Sequence, residues 1–260
     1  MTTPHLLPAH ELERTSVVAN NTMNRERGLT GVNSYARALG LDPVARLMAR
    51  SATPPWLDLC SGEGHALRES RPHLPAGAVL TGVDLVGPLV PAPAPAADLA
   101  PAPVPVADLA PAPVPAPAPD LATPGPELLT ASVAHWSPDR TYDLITCVHG
   151  LHYVGDQLGL LTRAASWPAP GGLLIAHLDP ASLRWADGAP AGRAAVAALR
   201  AAGFRYSARH HRISLDGPRA VRLPFRHLGA DPAAGPNYTG QPAVGSHYAA
   251  AHVAAPVPPQ

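Results

Sequence analysis

A proline-rich repeat over residues 91–122 constrains the fold of this chain more than any other feature of its 260 residues. It reads PAPAPAADLA, PAPVPVADLA and PAPVPAPAPDLA, a ten-residue repeat whose third copy is two residues longer. Proline removes backbone donors and fixes φ, which excludes a helix or an interior strand. We expect solvated polyproline II and predict a loop inserted at residues 88–126. A tandem duplication tolerated in a surface loop explains the repeat, and a docking segment is the alternative.

Outside the repeat, short apolar strands alternate with helices. Strands are predicted at 56–59, 78–85, 128–136, 141–150 and 173–179, and helices at 42–50, 65–73, 156–167 and 191–203. Asp42 and Asp156 are the predicted N-caps, and Gly203 follows the last helix. The order predicts an α/β three-layer sandwich with a mainly parallel seven-stranded sheet and helices on both faces. An antiparallel C-terminal hairpin is expected from strands at 205–215 and 220–229 around Asp216-Gly217.

Composition narrows the classes of protein. The chain has net charge zero, and all 19 basic residues are arginine. Two cysteines without a C-x-x-C pair do not indicate a zinc ribbon or a disulfide framework. The N-terminus has no apolar run of signal-peptide length and no stretch approaches a membrane span, so we expect a soluble, cytoplasmic protein.

Charge is distributed unevenly along the chain. Residues 1–183 carry 10 arginines against 16 acidic residues, whereas residues 184–260 carry 9 against 3. A basic end is typical either of a surface for nucleic acid or acidic substrates or of a solvated face. The arginines are dispersed, so a nucleic-acid partner is not favoured.

The stretch WLDLCSGEGHAL, residues 56–67, predicts a strand, a glycine turn and a helix. Such a turn brings backbone N–H groups close to a ligand, although an ordinary tight turn is the alternative. A dinucleotide fingerprint requires G-x-G-x-x-G, and the third position here is Leu67.

Four motifs in order resemble those of class I S-adenosylmethionine-dependent methyltransferases, over about Trp56 to Leu228. The first is Asp58-Leu-Cys60-Ser-Gly62-Glu-Gly64, and the second is Asp84 at the end of GVDL. The third is the run from Asp143 to Asp156, DLITCVHGLHYVGD, and the fourth is Pro170-Gly171-Gly172. The resemblance implies S-adenosylmethionine as methyl donor and a cofactor site at the carboxyl ends of the strands.

The resemblance also implies roles for single residues in cofactor binding. Asp84 would accept hydrogen bonds from both ribose hydroxyls, and Gly62 and Gly64 would pass close to the amino acid portion. Asp58 would orient the ammonium group, and Leu85 would cover one adenine face.

Two positions depart from the family pattern. Ser132, followed by Val133, stands where the family commonly has an acidic residue that meets the adenine amine. Cys60 replaces the first glycine of the motif. In the fold that the resemblance implies, the first and fourth strands are neighbours, and Cys60 follows one while Cys147 is near the end of the other. We therefore expect both thiols, in reduced form, to line the methionine pocket beside the cofactor.

Three residues after the fourth strand are candidates for chemistry: His149, His152 and Tyr153. Histidine titrates near neutral pH, so His149 is a candidate general base, with substrate positioning as a further role. Polar capping of the loop is the alternative. Two histidines without an H-E-x-x-H pattern do not indicate a metal site.

We predict three regions along the chain. Residues 1–53 form a helical cap or lid, residues 54–228 form the methyltransferase core, and residues 229–260 form a tail. Arg25, Arg27 or Tyr35 is expected to reach the site from the lid, and a solvated N-terminal helix pair is the alternative for this segment. The tail, which contains Tyr238 and Tyr248, is expected either to wrap the substrate pocket or to be disordered.

A small-molecule acceptor, such as a secondary metabolite, is the predicted substrate, because no N-P-P-Y or D-P-P-Y follows the fourth strand. Three alternatives stay open. They are a nicotinamide-dependent oxidoreductase, a non-catalytic cofactor-binding or scaffold protein, and a methyltransferase that acts on nucleic acid through the basic C-terminal part. The lack of G-x-G-x-x-G and of any lysine argues against the oxidoreductase. The sequence predicts no oligomeric state.

Deletion of residues 91–122 should leave the fold and the cofactor affinity nearly unchanged, because the repeat is not expected to pair with the sheet. The melting temperature and the dissociation constant for S-adenosylhomocysteine test this. A loss of many degrees or of binding would assign the repeat a structural role.

Overall fold

The computed structural model describes residues 5–19, 27–87 and 124–251. The predicted polyproline conformation of residues 91–122 and the predicted role of Arg25 lie outside these residues. None of the helices in the described part of the chain is long and apolar enough to cross a membrane.

Ten strands lie within the described residues. They are β1 (Pro55–Leu59), β2 (Val79–Asp84), β3 (Glu127–Thr130), β4 (Tyr142–Cys147), β5 (Pro168–His177), β6 (Leu183–Trp185), β7 (Arg205–Ser207), β8 (Arg212–Asp216), β9 (Phe225–Asp231) and β10 (Gly245–Ala250).

Seven α-helices are described in the same residues. They are α1 (Ala9–Leu12), α2 (Ser16–Ala19), α3 (Tyr35–Leu39), α4 (Pro43–Met48), α5 (His65–Ser70), α6 (Gln157–Ala164) and α7 (Gly192–Ala201). Short 3-10 helices cover Arg71–His73, Gly150–Tyr153, Pro180–Ser182 and Ala208–His210.

The predicted fold class is confirmed. Seven strands form one sheet in the order β3-β2-β1-β4-β5-β8-β7. The pairs from β3 to β5 are parallel, and β8 is antiparallel to both β5 and β7. All six residues of β4 are buried, which fits a central strand covered on both faces. The carboxyl ends of β1, β2 and β4 therefore meet at one edge, where ligands bind in sheets of this kind.

Antiparallel C-terminal strands are present, as predicted, but not around the predicted turn. The segment 205–215, predicted as a single strand, instead forms β7 and most of β8, and His211 turns the chain between them with φ +46. Gly217 is not the tip of a hairpin, because its N–H donates to the carbonyl of Gly172 at 2.8 Å. Strand β9 belongs to a second sheet, in the order β6-β10-β9. Pro218 and Pro224 lack the donors that a continued ladder requires.

The predicted N-caps Asp42 and Asp156 are confirmed by their capping contacts, whereas the helices that follow them end at Met48 and Ala164, earlier than predicted. The side chain of Asp42 accepts hydrogen bonds from the N–H groups of Val44 and Ala45 at 2.9 and 3.1 Å. The side chain of Asp156 accepts one from the N–H of Gly159 at 2.9 Å. These contacts satisfy N–H groups that a helix leaves unpaired at its start.

The small sheet joins both ends of the described chain. Leu7 and Ala230 exchange backbone hydrogen bonds of 2.8 and 3.0 Å. Leu12 of α1 packs against Ala230 and Val244, with partly buried Val17 and Val18 beside them. The segment that contains α1 and α2 is thereby fixed across the carboxyl edge of the main sheet.

Candidate functional site

The glycine turn after β1 has a left-handed backbone at three positions. The φ angles are +57 at Cys60, +59 at Gly62 and +70 at Gly64. Glycine adopts this region at little cost, whereas cysteine does so rarely. The turn lies at the edge where the sheet strands end, and the N–H of Gly64 closes it by donating to the carbonyl of Ser61 at 3.1 Å.

Asp84 holds this turn in place from the end of β2. One carboxylate oxygen accepts from the N–H of Gly62 at 2.9 Å, and the other accepts from the N–H of Val86 at 3.0 Å. A carboxylate is therefore fixed at the opening of the glycine turn, as the sequence predicts for this residue.

A pocket opens above the turn. Seven of the predicted site residues line it: Cys60, Gly62, Asp84, Leu85, Ser132, Val133 and Tyr153. Five lie outside its lining: Asp58, Gly64, Cys147, His149 and His152. The pocket is also lined by Leu12, Glu13 and Val18 of the N-terminal segment, which the sequence did not predict.

Glu13 places a carboxylate beside the segment that follows β3, where the chain itself has Ser132 rather than an acidic residue. The hydroxyl of Ser132 donates to the carboxylate of Glu13. The same hydroxyl oxygen accepts from the N–H of Ala134 at 3.2 Å. The two partners are 119 residues apart in the chain, so no local pattern in the sequence points to their contact.

Asp58 is buried behind the turn rather than exposed to the pocket. It is 0% exposed. Its carboxylate accepts from the hydroxyl of Tyr35 at 2.7 Å and from that of Thr146 at 2.6 Å. The indole N–H of Trp56 donates to the Thr146 hydroxyl oxygen at 2.8 Å. Burial raises the pKa of Asp58 to about 7, and the hydrogen bonds from Thr146 and Tyr35 act against that rise.

The two cysteines meet beside Gly150. The hydrogen bond with Cys147 and burial raise the pKa of the Cys60 thiol well above its ordinary value. Both cysteines are free thiols. Cys60 faces the pocket, while Cys147 is 1% exposed and lies behind it. A Cβ at Gly150 would lie 2.3 Å from the Cβ of Cys60 and 3.0 Å from the Sγ of Cys147.

A second group of polar side chains lies on the other side of the β4 end. We call it the histidine cluster and define it as His149, His152, His177 and His211. His149 has φ +58 and stacks on His177, with ring centroids 4.2 Å apart and planes inclined by 4°. Tyr238, from the connection between β9 and β10, lies with its hydroxyl 3.1 Å from Nδ1 of His149.

Burial keeps three members of the cluster uncharged. It lowers the pKa of His149 to about 2, of His177 to about 3 and of His152 to about 4. The positive charge of Arg27 adds to the effect of burial on His149. A general base works best with a pKa near the operating pH, so in this state His149 is a weak base for a neutral hydroxyl. Its neutral ring is suited to hydrogen bonding.

Within the described residues, no group of three or more histidine, cysteine or acidic side chains is arranged to hold a metal ion. The cluster therefore presents imidazole donors and acceptors. Nε2 of His177 donates to the carbonyl of Ala38 at 3.2 Å, which assigns its proton to that nitrogen.

A domain family model and several solved structures match the chain. The family model described as "Methyltransferase domain" matches residues 32–229. The chain therefore belongs to this methyltransferase domain family, and the family predicted from the four motifs is confirmed. The predicted enzyme class is confirmed at the level of the family. A search of curated proteins finds no significant match.

Three solved structures illustrate the structural similarity. The N-methyltransferase NodS from Bradyrhizobium japonicum WM9, in complex with S-adenosyl-L-homocysteine, is 14% identical, with 81% of this chain and 98% of that chain covered and a TM-score of 0.42. The amino pentose methyltransferase CalS10 from Micromonospora echinaspora is 17% identical over 63% of this chain and 56% of that chain, with a TM-score of 0.35. The plantazolicin methyltransferase BpumL is 16% identical over 51% of this chain and 42% of that chain, with a TM-score of 0.34. The chain thus spans about half the length of BpumL and CalS10.

Gly150→Ala should lower the free energy of unfolding by about 1–3 kcal/mol, because the added methyl group overlaps Cys60 and Cys147. Denaturant unfolding measures the loss. Gly125→Ala is the matched control, since a Cβ there meets nothing within 4 Å. Equal stability of the two variants would contradict the close approach at Gly150.

His152→Asn should make stability less dependent on pH. The folded pKa of His152, about 4, lies below its ordinary value of 6.5. The unfolded chain therefore binds the additional proton, and stability is lost as pH falls between these values. Removal of His152 should reduce the slope of unfolding free energy against pH by about 1 kcal/mol per pH unit between about pH 4.5 and 6. Asp58, whose pKa is raised in the folded state, contributes to this slope with the opposite sign. Its contribution is the same in His152→Asn and in the wild-type protein.

The control for this measurement is His10→Asn, at a histidine whose side chain is 75% exposed. Urea unfolding at several pH values gives the slopes. Equal slopes for His152→Asn and the wild-type protein would mean that His152 is not buried in a neutral state.

Proposed function

We propose that the chain transfers a methyl group from S-adenosylmethionine to a small-molecule acceptor. One observation carries the proposal. The Asp84 carboxylate is fixed at the end of β2, at the opening of a left-handed glycine turn that follows β1. A carboxylate there accepts hydrogen bonds from a ribose diol, and the adjacent backbone admits an amino acid group without a side chain in its way. Membership of the methyltransferase domain family supports it.

The pocket residues take the cofactor roles in this proposal. Asp84 binds the ribose hydroxyls, and Gly62 and Cys60 approach the methionine portion. Leu85 and Val133 provide apolar contact for the adenine. Ser132, with the carboxylate of Glu13 beside it, offers acceptors for the adenine amine.

Residues behind the pocket take positioning roles. Both oxygens of Asp58 are used by Tyr35 and Thr146, so we assign it the support of the turn rather than contact with the ammonium group. Gly64 begins α5, and Cys147 packs behind Gly150.

The acceptor side of the proposed site begins at His149 and His152. Tyr153 lines the cofactor pocket and contacts the ring of His152, so it lies between the pocket and the histidine cluster. Methyl transfer is a displacement, so correct orientation of donor and acceptor supplies much of the acceleration. A small-molecule acceptor fits the enclosed histidine cluster better than a nucleic acid. A non-catalytic cofactor-binding protein is the alternative. A cytoplasmic location stays a prediction from the sequence.

Asp84→Ala should weaken binding of S-adenosylhomocysteine by about 1.5–3 kcal/mol, from loss of charge-assisted hydrogen bonds. Titration calorimetry measures this, and the melting temperature of the variant shows whether the glycine turn has survived. Asp139→Ala, at a carboxylate that is 82% exposed, is the matched control. Equal affinity in the two variants would remove Asp84 from the cofactor site, and binding of NADH instead would favour an oxidoreductase.

A further inference from the structure

The histidine cluster has more hydrogen-bonding capacity than the described protein uses. Both ring nitrogens of His152 are buried without a hydrogen-bond partner, and His152 is 0% exposed. Nδ1 of His177 and Nδ1 of His211 are buried without a partner as well. Buried polar groups left unpaired cost free energy, so such groups generally mark a ligand or a water site.

The side chain of Tyr238 already places one phenol in the cluster. Its ring stacks on His211, with centroids 3.9 Å apart and planes inclined by 6°. It meets the ring of His152 edge-on, at 5.3 Å and 78°. Its hydroxyl lies 3.1 Å from Nδ1 of His149. The cluster therefore fits a flat ring and places a hydroxyl group of that ring on His149.

Tyr238 is held less firmly than a core residue. It lies between β9 and β10, where its N–H donates to the carboxylate of Asp179 at 3.1 Å. It is 37% exposed, whereas Tyr248 of the adjacent strand is 1% exposed. Withdrawal of the Tyr238 side chain would therefore open the slot without uncovering the core.

We infer that the histidine cluster is the acceptor site and takes a planar aromatic molecule with a ring hydroxyl, which replaces the side chain of Tyr238. This inference rests on the proposed function. His149 directly precedes Gly150, which lines the proposed cofactor pocket, so the proposed donor and acceptor sites draw on consecutive residues of one segment. The stacking surface of His211 selects a flat ring, and Nδ1 of His149 selects its hydroxyl.

Charges of both signs lie around the slot. Burial raises the pKa of Tyr238, the negative charge of Asp179 adds to that rise, and the positive charge of Arg27 acts against it. The acceptor class is therefore selected by the stacking surface of His211 and by Nδ1 of His149 rather than by net charge.

The transfer balances with the groups present. A lone pair of the acceptor oxygen forms the bond to the methyl carbon, and the carbon–sulfur bonding pair passes to sulfur, which leaves as S-adenosylhomocysteine. The hydroxyl proton passes to Nδ1 of His149 and then to water. An O-protonated aryl ether is a far stronger acid than an imidazolium, so His149 accepts this proton late in the reaction despite its lowered pKa.

The test uses Tyr238→Ala and the probe 4-methylphenol, which has the shape of the removed side chain. The variant should bind 4-methylphenol at least tenfold more tightly than the wild-type protein, because the slot is open. Toluene, which lacks the hydroxyl, should bind at least tenfold more weakly than 4-methylphenol. Tyr238→Phe, which keeps the ring, is the matched control and should gain no affinity. Titration calorimetry measures the affinity of each of the three proteins for each of the two probes.

The same titrations with S-adenosylhomocysteine separate this inference from the proposed function. Tyr238 does not line the cofactor pocket, so Tyr238→Ala should retain its affinity for S-adenosylhomocysteine within about twofold. Failure of the wild-type protein to bind S-adenosylhomocysteine would overturn the proposed function. The acceptor site would be overturned if Tyr238→Ala and the wild-type protein bound 4-methylphenol equally tightly. It would also be overturned if Tyr238→Ala bound toluene as tightly as 4-methylphenol. If Tyr238→Ala does not fold, Tyr238→Leu with phenol as probe decides by the same comparison.

Discussion

The buried carboxylate of Asp58 joins three parts of the chain on which the pocket depends. It lies on β1, receives one hydroxyl from Thr146 on β4 and receives the other from Tyr35 on α3. A buried carboxylate is costly unless its oxygens are hydrogen-bonded, so the three elements are stable only in this mutual arrangement. Burial raises the pKa of this carboxyl group to about 7, and the hydrogen bonds from Thr146 and Tyr35 act against that rise. The glycine turn begins two residues later and takes its position from this contact.

One short segment after β4 contributes to both proposed parts of the site. Gly150 lines the pocket above the glycine turn, and His149 stacks on His177 in the histidine cluster. The backbone at His149 is left-handed. Such strain in a residue other than glycine persists when the surrounding contacts determine it, here the stacking on His177. Two consecutive residues thereby connect the proposed donor site with the proposed acceptor site.

The sequence was sufficient for features that depend on local chemistry. The glycine turn, the position of Asp84 and the capping by Asp42 and Asp156 follow from residue types within a few positions of each other. Contacts between distant segments were not predictable in this way. Glu13 meets Ser132 across 119 residues, and Tyr238 meets His149 across 89.

The misplaced turn of the C-terminal hairpin has the same origin. Asp216-Gly217 is a good turn signal, but the edge beside β5 was taken by a strand pair formed within residues 205–216. Local turn preference was overridden by pairing with the larger sheet. The same limit applies to Asp58, whose sequence context shows a strand end but not the two hydroxyl groups that enclose it.

The pairing of Leu7 with Ala230 has a consequence for the order in which the molecule can form. A ribosome releases the first residues of this chain long before β9 and β10, to which they attach. Until those strands emerge, Leu12 and its apolar neighbours have no surface on which to pack. The part of the pocket wall that Leu12 and Val18 contribute therefore cannot close on a nascent chain until β9 and β10 have been synthesised.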